Sequence, residues 1–194
     1  MTGNRFEATP TEGDPLKIRI FYAYAAKDQA DQESLEKQLA ILRQTGSIEE
    51  WHDRKIPAGE YRDKHIQKEL VRADIILLLL SPDFLASDYH FSTEIAFARQ
   101  AQEAGLTMVI PILIRESDWK NTPLSKLQPL PRNGRSIAKN TAAAPSGPQY
   151  EDWRDEEWQK IAGETTQIVG QLLASPEDLL TKRQMRLALE MEER

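Results

Sequence analysis

Cysteine is absent from this 194-residue chain, and that absence excludes several kinds of site at once. Without a thiol there is no disulfide framework, no thiolate metal ligand and no cysteine nucleophile. The three histidines do not compensate, because none is paired with another at a metal-ligand spacing beside a carboxylate cluster. They are His52, His65 and His90. The sequence therefore predicts neither a metal site nor thiol chemistry.

A basic excess and a long apolar run are also lacking. Lys and Arg number 25 against 31 Asp and Glu, which gives a net charge of −6, whereas nucleic-acid binders are usually basic. No stretch reaches the roughly 18 apolar residues of a membrane span, and the first twenty residues do not resemble a signal peptide. We expect a cytoplasmic protein without a nucleic-acid or membrane partner.

The first predicted strand is not followed by a glycine-rich phosphate loop. Residues 22–28, YAYAAKD, contain no glycine, which counts against a Rossmann dehydrogenase and a P-loop NTPase. A phosphoacceptor receiver domain would need an Asp at the end of the third strand, where this chain has Leu80 and Ser81. That interpretation is therefore disfavoured.

Strand patterns alternate with helical patterns along the chain. The strongest signal is residues 73–80, which include six successive Ile or Leu residues, as expected for a strand covered on both faces. Further strands are predicted over 17–24, 47–51 and 107–114, with a fifth at the sheet edge over 135–139. This alternation predicts an α/β fold, a doubly wound parallel five-stranded sheet with helices on both faces.

The chain divides into three parts. Residues 1–15 are polar and rich in Gly, Pro and Thr, which predicts a flexible tail. The strand and helix alternation occupies residues 16–174. Residues 175–194 restart a helix with a thin apolar stripe of Leu180, Leu187 and Met191. Composition favours a solvated tail helix there; the alternatives are a docking helix, a linker or the start of a further domain.

Ligands of open α/β sheets bind beyond the carboxyl ends of the strands, where the strand order reverses. This rule directs attention to the segments that follow strands one, three and four, residues 24–28, 81–94 and 115–119. The loop over 53–60 follows strand two and can fold over the same edge.

The same segments carry a family resemblance. Residues 21–28 (FYAYAAKD), 51–60 (WHDRKIPAGE) and 73–89, followed by Glu94 and by 115–119 (RESDW), resemble the successive motifs of bacterial TIR (Toll/interleukin-1 receptor) domains. The resemblance extends over residues 16–174, and it is the order of the motifs that makes it specific. It implies a flavodoxin-like fold.

The resemblance implies two possible functions. The first is an NAD⁺ glycohydrolase or cyclase, active when assembled and serving antiphage immunity, with NAD⁺ as substrate, no cofactor and Glu94 as the catalytic residue. The second is a non-enzymatic scaffold that acts by TIR–TIR association. In both, the loop over 53–60 resembles the family's assembly loop, whose residues here are Ile56, Pro57, Ala58 and Gly59. An activating partner or further domain is also implied.

The motifs supply the candidate substrate-binding residues. These are Tyr22, Tyr24, Lys27, Trp51, Asp53, Arg54, Ser81, Tyr89, His90 and Phe91. Buried aromatic residues are more often core residues than ligand-stacking groups, and the charges of the loop can simply be solvated. Ala23 and Ala25 depart from the family, which often carries hydroxyl residues there, and this favours the scaffold.

The chemistry of NAD⁺ cleavage suits a site with one carboxylate. Nicotinamide already departs as a neutral leaving group from a cationic precursor, so no general acid is required. The transition state is oxocarbenium-like, and one carboxylate can stabilise its positive charge. Two alternatives stay open for Glu94: an acidic residue that favours the helix macrodipole, or the nucleophile of a nucleoside deoxyribosyltransferase-like protein.

Overall fold

A computed structural model describes residues 15–88, 90–141 and 148–192, with the backbone alone at 90–92, 148–149 and 189–192. The predicted tail over 1–15 therefore lies outside the described residues, except for Pro15. Within these ranges four strands form one sheet in the order β2-β1-β3-β4, and every neighbouring pair is parallel. The strands are β1 (Ile18–Ala23), β2 (Ile48–Trp51), β3 (Ile75–Leu80) and β4 (Met108–Leu113).

The helices connect these strands and extend beyond them. They are α1 (Gln29–Gln38), α2 (Ala40–Gln44), α3 (Arg62–Arg72), α4 (Pro82–Leu85), α5 (Ala96–Glu103), α6 (Ile137–Asn140), α7 (Pro148–Leu173) and α8 (Pro176–Glu192). A π-helical turn, His90–Ile95, leads into α5. In the part of the chain that the structure describes, the 3₁₀ turns are Ala26–Asp28, Asp53–Lys55, Trp119–Asn121 and Pro123–Lys126.

The central strand β3 is buried on both faces, as its uniform Ile and Leu sequence predicts. All six of its residues are 0% exposed, and its side chains alternate between two hydrophobic clusters. One cluster contains Leu35 of α1 and Trp158 of α7, and the other contains Ile66 of α3 and Ala98 of α5. The prediction of a doubly wound parallel sheet with helices on both faces is confirmed.

The predicted fifth strand over residues 135–139 is wrong. The Ser136 hydroxyl accepts a 3.2 Å hydrogen bond from the Lys139 amide and starts the short helix α6. Among the described residues, the sheet continues beside β4 only through Leu130, whose amide donates to the Pro111 carbonyl at 2.8 Å. Pro129 and Pro131 flank Leu130 and have no amide hydrogen, so the ladder cannot extend from it.

Helix α8 docks on the amino edge of the sheet, opposite the candidate ligand edge. Its Arg183 and Arg186 bind both carboxylate oxygens of the buried Asp74, which directly precedes β3. These contacts hold α8 on the domain, and the alternatives of a linker or the start of a further domain stay predictions. The predicted apolar stripe is not the buried face, because Leu180 and Leu187 are about half exposed while Leu179 is 2% exposed. The side chain of Met191 lies outside the described part.

In the described ranges, no helix is long and apolar enough to cross a membrane.

Candidate functional site

The sheet order reverses between β1 and β3, and charged side chains meet at the carboxyl ends of these strands. We call Lys27, Asp28, Ser81, Asp83 and Arg115 the switch-point cluster. The Ser81 hydroxyl donates to Asp28 Oδ2 at 2.5 Å, and Arg115 Nη2 donates to Asp28 Oδ1 at 2.5 Å. The same Arg115 nitrogen donates to Asp83 at 2.6 Å, and Lys27 Nζ donates to Asp83 at 2.6 Å.

Local sequence places these groups. Asp28 ends a 3₁₀ turn after β1, and Ser81 caps α4 by accepting a 3.0 Å hydrogen bond from the Phe84 amide. Pro82 follows at the first helical position, where its missing amide hydrogen costs nothing. The turn after β3 is therefore fixed by the cap and by Asp28 together.

The switch-point cluster balances two cations against two carboxylates. Asp28 is 1% exposed and Ser81 is 0% exposed, whereas the Lys27 side chain is 76% exposed. The hydrogen bonds from Lys27 and Arg115 lower the pKa of Asp83, and the bond to Asp83 raises the pKa of Arg115. The cluster is thus charge-balanced, with the buried Asp28 at its floor and Asp83 bonded to both cations nearer the surface.

Lys27 and Ser81 were predicted as site residues, but Asp28, Asp83 and Arg115 were missed. The segments after strands one, three and four contain them, and each segment carries a charged residue within a few positions of its strand. A charged residue shortly after each of the three strands was the sequence signal that could have identified Asp28, Asp83 and Arg115.

Glu94 lies in the π-helical turn, between α4 and α5. It is 2% exposed, and the neighbouring Ile95 packs in the cluster that also holds Leu80 and Phe84. A π-helical turn widens the helix by one residue and often occurs at functional sites. Tyr89 lies outside the described residues, as do the side chains of His90 and Phe91, so their predicted roles stay predictions.

A second group of polar residues joins the loop after β2 to β1 and α1. We call Tyr24, Gln32, Glu33, Asp53, Arg54 and Arg62 the loop-base cluster. Arg54 donates to the Tyr24 hydroxyl at 3.0 Å, to Gln32 at 2.6 Å and to Glu33 at 2.6 Å. Asp53 accepts from the Tyr24 hydroxyl at 3.2 Å and from Arg62 at 3.0 Å. Burial, followed by the nearby Asp53 charge, raises the pKa of Tyr24 to about 12.

The predicted assembly loop stands on this base. Pro57, Ala58 and Gly59 are exposed, whereas Ile56 is partly buried against the cluster of α3 and α5. Gly59 has a φ of 89°, a backbone conformation that favours glycine. The loop therefore presents a small exposed tip on a well-bonded base.

Tyr22 and Trp51 make contacts within the framework of the domain. Tyr22 is 2% exposed and its hydroxyl donates to Glu50, which also accepts from Arg43 at 2.7 Å. Burial raises the pKa of Tyr22 well above its ordinary value. Trp51 stacks on Phe21 with ring centroids 5.0 Å apart. The structure brings neither ring into the switch-point cluster or the loop-base cluster.

The described residues contain no group of three His, Asp or Glu side chains arranged to hold a metal ion.

The chain is thus a doubly wound α/β domain with a polar, charge-balanced cluster at the carboxyl ends of β1 and β3, where the strand order reverses. A family model described as TIR domain matches residues 20–144, more than half of the chain, so the chain belongs to the TIR domain family. The family predicted from the order of the motifs is confirmed.

The chain is similar to a protein of known sequence and to several solved structures. The chain is 42% identical over 120 residues to an uncharacterized protein, y4lF, of Sinorhizobium fredii (strain NBRC 101917 / NGR234). That match covers 62% of this chain but only 37% of the relative. The chain is also similar to the TIR domains in the structure of the activated Roq1 resistosome directly recognizing the pathogen effector XopQ, with a TM-score of 0.42 and 14% identity. This likeness covers 76% of this chain and 84% of that one.

Proposed function

We propose that this TIR domain cleaves the nicotinamide–ribose bond of NAD⁺, with Glu94 as the catalytic carboxylate. The observation that carries the proposal is the place of Glu94, on the π-helical turn that follows β3 at the carboxyl edge of the sheet. Ligands of doubly wound sheets bind beyond this edge. The switch-point cluster at the carboxyl ends of the strands includes Lys27 and Arg115, and we propose that these cations meet the pyrophosphate of the dinucleotide.

The reaction needs little from the protein. The C–N bond to nicotinamide breaks with its electron pair going to the ring nitrogen, so the leaving group departs neutral and the ribose carbon becomes positive. The Glu94 carboxylate stabilises that charge electrostatically. Water then attacks the ribose carbon and loses a proton to solvent, which gives ADP-ribose; attack by the adenine ring would give a cyclic product instead.

The burial of Glu94 links this chemistry to assembly. Because Glu94 is only 2% exposed, we propose that it becomes more accessible to a dinucleotide before catalysis. Contacts through the exposed Pro57–Gly59 tip between copies of the chain supply a reason for such a change. We therefore propose a low activity in the isolated domain and a high activity in the assembled one.

The wider setting is part of the same proposal. Copies of this chain are its first partners, an activating partner or further domain is another, and antiphage defence in the cytoplasm is the role. NAD⁺ is the substrate, and the reaction requires no cofactor.

A non-enzymatic scaffold is the second candidate function. The observation that favours it is the apolar character of Ala23 and Ala25, which are 1% and 7% exposed at the carboxyl end of β1 and offer no hydroxyl to a ligand. A scaffold would associate through the Ile56–Gly59 loop and would not depend on Glu94.

Nicotinamide release from NAD⁺ by the concentrated chain tests the enzyme against the scaffold. We expect release by the unmodified chain and by Glu103→Gln, whose exposed carboxylate belongs to a surface ion pair with Arg99. We expect loss of release in Glu94→Gln, with its thermal unfolding checked for an intact fold. Equal release by both variants, or none by the unmodified chain in its associated state, would reject the proposal.

A further inference from the structure

A polar cleft of about 390 Å³ lies beyond the carboxyl end of β4. Two segments line it, residues 115–120 directly after the strand and residues 133–139 around the start of α6. We call it the β4 cleft. Pockets of a few hundred Å³ are of the size that holds small molecules.

Cations dominate the lining of the β4 cleft. Arg115, Lys120, Arg135 and Lys139 contribute to it, against the carboxylates of Glu116 and Asp118. The lining of the cleft therefore has a positive net charge, whereas the whole chain has a net charge of −6. A concave surface lined mainly by one sign of charge concentrates ions of the opposite sign.

Both carboxylates of the cleft are already engaged. Glu116 accepts hydrogen bonds from the Ser136 hydroxyl at 2.9 Å and the Ser136 amide at 3.3 Å, which lower the pKa of Glu116. Its other oxygen meets Lys139 at 3.5 Å. Asp118 accepts from the side-chain amide of Asn121 at 2.8 and 2.9 Å. All four carboxylate oxygens thus have a partner, and none of these partners is Lys120 or Arg135.

Three donors in the cleft are left over. Lys120 and Arg135 form no side-chain ion pair or hydrogen bond with any residue in the described ranges. The Ser117 hydroxyl is buried and, among the same residues, has no hydrogen-bond partner. A buried polar atom without a partner requires an explanation, and a ligand that accepts hydrogen bonds supplies one. Two cations and a hydroxyl donor together are complementary to an oxyanion.

We propose that the β4 cleft binds a small polyanion of the phosphate class, an inorganic diphosphate or a nucleoside diphosphate. Arg135 and Lys120 neutralise its charge, and the Ser117 hydroxyl turns from its buried position to donate to one of its oxygens. The concavity favours a small molecule over an acidic protein segment, which would need a longer surface. The site does not use Glu94, although it shares Arg115 with the switch-point cluster.

The position of Arg115 couples the β4 cleft to the switch-point cluster. Its guanidinium lines the cleft and also donates to Asp28 and Asp83. A phosphate oxygen that accepts from Arg115 competes with Asp83 for it. Binding in the β4 cleft therefore also alters the partners of Asp83 at the end of β3.

Calorimetric titration with inorganic diphosphate tests the site. We expect the double variant Lys120→Gln/Arg135→Gln to bind about tenfold more weakly or worse, since it loses two charge-assisted contacts. The control Lys37→Gln/Lys126→Gln also removes two positive charges, but from outside the cleft. We expect its affinity for diphosphate to stay within about twofold of the unmodified chain. Binding that falls equally in both double variants would show a general charge effect and overturn the proposal, as would no binding by the unmodified chain.

Two further variants make the test specific. Ser117→Ala keeps every charge, and we expect it to weaken diphosphate binding several-fold because one donor to the anion is lost; unchanged binding would contradict the role of Ser117. Glu94→Gln should bind as the unmodified chain does, because Glu94 does not line the cleft, and nicotinamide release should persist in Lys120→Gln/Arg135→Gln if this site is separate from NAD⁺ cleavage. Titration with ADP beside inorganic diphosphate then distinguishes the two sources, since tighter binding of ADP indicates a nucleoside diphosphate.

Discussion

The Ser81 hydroxyl donates a 2.5 Å hydrogen bond to the buried carboxylate of Asp28, and this bond joins the ends of β1 and β3 where the sheet order reverses. The two residues are 53 positions apart in the chain. The same hydroxyl oxygen caps α4 by accepting from the Phe84 amide. One side chain thus holds both the floor of the candidate site and the helix that leads toward Glu94.

Ser81→Ala removes both interactions. We expect it to lower the free energy of unfolding by about 1–3 kcal/mol, because Asp28 stays buried with one donor fewer and α4 loses its cap. Urea denaturation measures the loss. The control Ser34→Ala removes a hydroxyl that bonds only to the Ala30 carbonyl within α1, and should change stability by about 0.5 kcal/mol or less. Equal losses in the two variants would contradict the joining role of Ser81.

Arg186 makes α8 part of the folded domain. Arg186→Ala leaves the buried Asp74 short of one cation, and we expect a loss of about 3–5 kcal/mol in unfolding free energy. The control is Lys182→Ala on the same helix, which breaks only an i,i+4 surface pair with Asp178 and should cost about 0.5 kcal/mol or less. A small effect of Arg186→Ala would mean that α8 is a solvated tail.

The raised pKa of Tyr24 predicts that the folded chain loses stability at alkaline pH. Its pKa rises from an ordinary value of 10.0 to about 12 in the folded chain, so between these values the folded state holds a proton that the unfolded state has lost. Its contribution is fully present below pH 10 and is lost as pH rises toward about 12. Tyr24→Phe should flatten this part of the stability profile, although the raised pKa of Tyr22 leaves a decline of the same sign.

The exposed Tyr61 provides the control for this measurement. Tyr61→Phe removes the hydroxyl of a residue that is 75% exposed, and we expect the alkaline decline to persist in that variant. Denaturation curves recorded from neutral to alkaline pH compare the two substitutions. A profile that is steeper in Tyr24→Phe than in the unmodified chain would contradict a raised pKa of Tyr24 in the folded state.

Gly59 tests the assembly loop without changing its packing. A Cβ at Gly59 would meet nothing within 4 Å, but the φ of 89° penalises any side chain, so Gly59→Ala alters the loop backbone. We expect weaker self-association, measured by sedimentation at high protein concentration. Gly105→Ala is a matched control, with a φ of 68° and open space, located between α5 and β4. Equal self-association in both variants would argue against the loop as the contact surface.

The predictable parts of the fold are those that a short stretch of sequence determines by itself. Ile75–Leu80 is recognisable as a buried strand because a strand with two covered faces needs no polar side chain. The fifth strand was mispredicted beside β4 because two local features prevent a strand there, a helix cap and a pair of prolines. Ser136 starts a helix, and the prolines on either side of Leu130 limit pairing to one residue.

The candidate site was only partly predictable, since its decisive pairs are distant in the chain. Arg115 and Asp28 are 87 positions apart, and no spacing rule connects them. The docking of α8 was hidden for another reason. The face of α8 that packs on the domain carries Arg183 and Arg186, and a search for apolar positions does not find such a face. The burial of both arginines depends on Asp74, their common partner.

The rate of nicotinamide release per molecule, measured over a series of protein concentrations, tests most directly whether Glu94 becomes catalytic on assembly. We predict a rate per molecule that rises steeply with concentration in the unmodified chain and stays near zero throughout in Glu94→Gln. Gly59→Ala should shift the rise to higher concentration. A rate per molecule that is independent of concentration would contradict activation by assembly, and release that survives in Glu94→Gln would contradict the assignment of Glu94.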